Sequence, residues 1–116
     1  MRHVTKNILP LILAIVLATS AFAATVGELQ SRANDLNATC SSLISRAEAC
    51  PGGTCSDGAA IRSEFATADA SRLALKADRE TLNPCTTCST LDGTIATVDA
   101  RAATMRSILD GWDGKS

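Results

Sequence analysis

Residues 25–50 read TVGELQSRANDLNATCSSLISRAEAC. Within them Val26, Leu29, Ala33, Leu36, Cys40, Leu43, Ala47 and Cys50 recur at alternating spacings of three and four. Such a heptad pattern places all eight side chains on one narrow stripe of a single helix. Thr25 followed by Glu28 fits a capping box, in which hydroxyl and carboxylate satisfy free N–H groups of the first turn. The pattern predicts a helix over residues 25–50, and a stripe this apolar needs partners to cover it.

The rest of the chain supplies them. Pro51-Gly52-Gly53 ends the first helix, because proline cannot continue the hydrogen-bond ladder and glycine tolerates the turn. Ser56 or Asp57 can cap a second helix over 58–82, which Asn83-Pro84 stops. Ser89 with Asp92 makes another capping-box start, and a third helix follows over 89–110, before Gly111 and Gly114. No strand signal competes after residue 24. The expectation is an all-α domain: an antiparallel, up-down-up three-helix bundle with short, disulfide-clipped turns, preceded by an N-terminal signal peptide.

Folding the helices up, down and up with short turns tests them against one another. With the first turn centred near Thr54, facing positions should sum to about 108; with the second between Thr86 and Thr87, to about 173. Four layers then emerge: Val26/Leu82/Leu91, Ala33/Leu75/Val98, Cys40/Ala68/Met105 and Ala47/Ile61/Trp112. Large residues meet small ones in the last three, as interdigitated packing requires. Arg72 and Arg79 break the pattern, since they fall opposite Leu36 and Leu29 where apolar residues belong. Their stems are expected to cover the seam while the guanidinium groups reach water, Asp35, Glu28 or Asp99.

The 116 residues carry a net charge of −1. Arg2 and Lys6 precede an apolar run over 8–18, and Ala21-Phe22-Ala23 has the small-x-small form of a cleavage site. This reads as an export signal, residues 1–23, cut after about Ala23, which leaves a domain over 24–116. An uncleaved membrane anchor is the alternative, although the apolar core is shorter than the ~20 residues a spanning helix needs. Acidic and basic residues are interspersed after residue 23, so no basic block points to nucleic acid or anionic lipid. Contact with a membrane is expected only through the signal segment during export. His3, the one histidine, lies in that segment. The remainder therefore lacks an imidazole for nucleophile activation, proton transfer or metal ligation.

Five cysteines remain, at 40, 50, 55, 85 and 88. A secretory route makes disulfides the default. About 24 helical residues separate Cys55 from Cys85, which is ~36 Å at 1.5 Å per residue. Bonded cysteines need Cα atoms within about 7 Å. The pairing is therefore Cys50–Cys55 at the first turn and Cys85–Cys88 at the second. Cys40 is left as a free seam thiol, or as an intermolecular one if the seam opens onto a second chain. The same separation disfavours a four-cysteine zinc site. Cys85-Thr86-Thr87-Cys88 also has the CxxC form of redox dithiols, but it precedes a helix outside any βαβ unit, which favours a structural clip.

One surface stands out. Ala66, Ala70, Leu73 and Ala77 form a second stripe on the middle helix, roughly opposite its core face. The stripe is the candidate surface for a protein partner or for self-association, while Trp112 is expected to cap the Ala47/Ile61 layer. The chain thus reads as a small exported protein of the periplasm or the extracellular space, without cofactor or catalytic residues, acting by binding in a structural, adaptor or inhibitor role. A thiol–disulfide protein using Cys85 and Cys88 is the alternative from another class.

Overall fold

The computed structural model describes residues 24–114. The expected signal peptide, its cleavage point and the alternative anchor lie outside these residues. Within them the chain forms three α-helices, α1 (Val26–Glu48), α2 (Gly58–Glu80) and α3 (Ser89–Trp112), packed as a bundle. A 3-10 turn, Pro51–Gly53, links α1 to α2, and the described residues contain no strand.

The capping box of α1 is present. Glu28 N–H donates to Thr25 Oγ1 and Thr25 N–H donates to Glu28 Oε1, each at 3.1 Å. The other two expected caps are absent. Asp57 stands before α2 but caps nothing with its side chain. Both of its oxygens are taken by Arg46, at 2.8 and 2.9 Å, and a bidentate charge-assisted pair outcompetes a backbone N–H. Ser89 is the first helical residue of α3 rather than its cap, and Asp92 spends its carboxylate on Arg79.

Helix ends shift for similar reasons. α1 stops at Glu48 because Cys50 turns out to bond Cys55. α2 stops at Glu80, where the Thr81 hydroxyl donates to the Asp78 carbonyl and tightens the last turn. The Asn83–Pro84 peptide that follows is cis. α3 runs on to Trp112, whose ring lies against Gly53 in the first turn.

The observed register lies within two residues of the one expected from the sequence. Arg32 bonds Asp78 and Arg46 bonds Glu64 across the α1–α2 hairpin, each at 2.7 Å. α1 and α3 run parallel: Gln30 donates to Thr94 and Arg101 donates to Asn37, both pairs 64 positions apart. The layers above join Val26 to Leu91 and Ala33 to Val98, one residue from that offset. Ala33, Leu75 and Val98 are fully buried, as are Cys40, Ile61 and Met105 to within 1%. Val26, Leu82 and Trp112 are half-buried at the two ends. Full burial of each leucine along this core stabilises the bundle by roughly 2 kcal/mol before entropy is counted.

The sequence pattern missed a wider apolar face on α3. Ile95 and Ala102 are buried as well, and they fill the levels at which α2 offers Arg79 and Arg72.

Two glycines make the first turn possible. Gly53 has φ +72°, a region that side chains with a Cβ rarely adopt, and a Cβ there would lie 2.6 Å from Trp112 Cε3. Gly58, buried at the start of α2, lies so close to the Gly53 carbonyl that a Cβ would collide with it.

Candidate functional site

The outer face of α2 contains the exposed apolar stripe. Leu73 is 55% exposed and is the only large hydrophobic side chain standing in solvent among the described residues. Ala66, Ala70 and Ala77 are exposed on either side of it. Alanine is a strong helix former that needs no partner, so Leu73 alone bears the cost of solvation.

One flank of this face is an ionic ladder joining α2 to α3. From the Trp112 end it runs Arg62–Asp113, Arg106–Asp69, Arg72–Asp99, Lys76–Asp99 and Arg79–Asp92, with N···O distances from 2.6 to 3.2 Å. Arg72 is its centre. Only 8% exposed, it donates through Nε to Asp69 at 2.9 Å and through Nη1 to Asp99 at 2.6 Å. The stem does lie on the seam, and Asp99 is one of its expected partners. The other two, Asp35 and Glu28, are not partners: both guanidinium groups turn toward α3, and Arg79 takes Asp92 and Asn83.

Electrostatically the ladder is closed on itself. Asp92 is held below the usual carboxylate range by its hydrogen bonds from Arg79. For Asp99, burial pushes the carboxyl up, but the hydrogen bonds from Lys76 and Arg72 outweigh it and the net shift is downward. Each basic group of the ladder already faces a carboxylate, so the ladder locks two helices rather than offering a cation to an anionic ligand. The sequence held the signal for it: Asp69, Arg72 and Lys76 recur at helical spacing, on the side that the second turn presents to Asp99.

The opposite flank is a shallow groove between α1 and α2. Leu36 forms its floor, Thr39, Ser71 and Ala74 line it, and Arg32 and Asp35 stand at one end. It continues past Thr39 toward Ser63 and Thr67. The small side chains of Thr39, Ser71 and Ala74 keep it open.

The cysteines pair as expected. Cys50 bonds Cys55 and Cys85 bonds Cys88, while Cys40 is a free, buried thiol. Burial pushes the Cys40 thiol up, and the neighbouring Asp69 charge adds to that. Among the described residues, no three His, Cys, Asp or Glu side chains gather as a metal site would require. Nor is any described helix long and apolar enough to cross a membrane. Trp112 packs against the core at its expected end, with the Arg62 guanidinium 5.2 Å from its ring centre.

Comparison with protein-family models, with curated proteins and with solved structures finds no match to this chain.

Proposed function

We propose that this chain is a small exported, disulfide-stabilised helical protein that acts by binding, in a structural, adaptor or inhibitor role in the periplasm or outside the cell. Its contact surface is the outer face of α2, and its partner is another protein or a second copy of the chain. The observation that carries this reading is Leu73, the lone large apolar side chain left in solvent among the described residues. Burying it against a partner would recover roughly 2 kcal/mol. The small residues Ala66, Ala70 and Ala77 let a partner helix approach toward the ~8 Å end of the interaxial range. Two local disulfides in so short a domain support an oxidising compartment.

The test is association in the native compartment, read by cross-linking and pull-down, with Leu73→Glu as the comparison. Loss of a specific cross-link in the variant, at unchanged helical content, is the expected result. A variant that keeps every association of the wild type overturns the assignment of this face. N-terminal sequencing of the exported protein checks the leader separately, the expected first residue being near Ala24.

A further inference from the structure

The stripe on α2 is symmetric along the chain. Ala66, Ala70, Leu73 and Ala77 are separated by four, three and four positions, so the pattern reads the same in either direction. All four residues are exposed. A second α2 laid antiparallel on this face, about a two-fold axis midway between Ser71 and Arg72, sets Ala66 against Ala77 and Leu73 against Ala70. Each contact then occurs twice, as an isologous interface requires, and large meets small at both central positions.

The charges beside the stripe say what covers it. Arg62, Asp69 and Lys76 recur every seven residues on the flank toward α3, where they meet Asp113, Arg106 and Asp99. Glu80 follows Lys76 one turn later on the same side, so the flank alternates in sign along the helix. A two-fold antiparallel pair sets like flank against like flank with the chain direction reversed. Arg62 then falls one residue, ~1.5 Å of rise, from the level of the second copy's Glu80, and Asp69 two residues from its Lys76. Opposite charges face each other at both levels, and such flanking pairs set the orientation of packed helices. A parallel pair would instead set this flank against the other one, where Ser63, Thr67 and Ala74 carry no charge. Arg62 and Glu80 are both exposed, and Glu80 accepts from the neutral Asn83 amide at 2.9 Å.

We propose that a second copy of this chain occupies the outer face of α2, in an antiparallel, two-fold α2–α2 pair with Arg62–Glu80 contacts between copies at both ends. This rests on the reading of that face as the contact surface and narrows its partner to the chain itself. One helix against one helix covers less than the roughly 1,200 Å² of a stable interface, so the dimer is a weak and reversible one.

Sedimentation equilibrium on the purified protein, with both disulfides formed, tests the pair. A monomer–dimer equilibrium with Kd on the order of 100 µM is expected, weakened at least about tenfold by Leu73→Glu. Arg62→Glu and Glu80→Arg should each weaken it by about tenfold, because like charges then meet at both ends. An equimolar mixture of those two variants should recover the wild-type affinity, since each chain supplies the sign the other lacks. Cross-linking checks the geometry without touching either charge: with a short bismaleimide, an Ala66→Cys chain should link to an Ala77→Cys chain and not to itself. A wild-type chain that stays monomeric to about 1 mM, a mixture no tighter than its components, or Ala66→Cys chains linked to one another would each overturn the second copy as occupant. A dimer indifferent to Leu73→Glu places the pairing elsewhere and overturns it as well. The pull-down with Leu73→Glu decides the face itself separately, so a monomeric chain that loses a partner in that comparison refutes the self-pairing alone.

Discussion

Arg72 is the residue on which the α2–α3 contact turns. It stands in a core position and stays there because Asp69 and Asp99 meet its guanidinium with charge-assisted hydrogen bonds. Arg72→Met keeps the apolar stem but leaves Asp69 to Arg106 and Asp99 to Lys76, so it should cost about 2 kcal/mol in urea unfolding. Adding Asp99→Asn should return part of that loss; a double variant no better than the single one would place the cost in packing. Gly52 and Gly53 separate two effects at adjacent positions. Both have positive φ, but a Cβ at Gly52 meets nothing nearer than Thr54 Cγ2 at 3.8 Å, whereas at Gly53 it strikes Trp112. Gly52→Ala should cost about 1 kcal/mol and Gly53→Ala about 3 kcal/mol, with a change in tryptophan emission in the second only. The free Cys40 thiol, buried and neutral, should resist a thiol reagent in the folded protein and react once in denaturant.

Helix boundaries show why some local signals hold and others yield. Thr25 and Glu28 spend their side-chain oxygens on each other's backbone N–H groups, so the capping box forms as the sequence implies. Asp57 and Asp92 carry equally good capping chemistry, but α1 and α2 bring Arg46 and Arg79 to them from across a turn, 11 and 13 positions back in sequence. The competition between a cap and an ion pair is therefore invisible until the helices are placed. Thr25→Ala should cost about 1 kcal/mol, and Ser89→Ala close to nothing, in the same denaturant assay. The heptad stripe of α1 was fully legible, because a period of three and four has one structural solution. The wider face of α3 was not, because Ile95 and Ala102 are needed only where α2 offers arginine in place of a hydrophobe. The stripe around Leu73 was legible as a pattern, and its solvent exposure follows from the helix turning its other face to the core.

At the scale of the whole molecule, polar partnership between helices is concentrated in carboxylates that ionise more readily in the folded state than in the unfolded chain. Hydrogen bonds from Arg46 lower Asp57 and Glu64, those from Arg79 lower Asp92, and in Asp99 the bonds from Lys76 and Arg72 prevail over burial. Below the usual carboxylate range the unfolded chain then binds more protons than the folded one, so stability falls as pH drops through the folded values. Thermal melts should be level from about pH 7 to about pH 5 and fall below about pH 4; a midpoint that rises on acidification would contradict the ladder. The described residues form an odd number of helices, and the parallel pairing of α1 with α3 gives that number a consequence. The described chain enters at the end where α3 begins and leaves, after Trp112, at the other, some 35 Å away along 23 residues of α1. A label or a surface attached at residue 24 therefore crowds Cys85–Cys88 and leaves Cys50–Cys55 at the distal tip, whereas attachment after Trp112 reverses the two. The choice of attachment point selects which sulfur bridge an approaching thiol meets first.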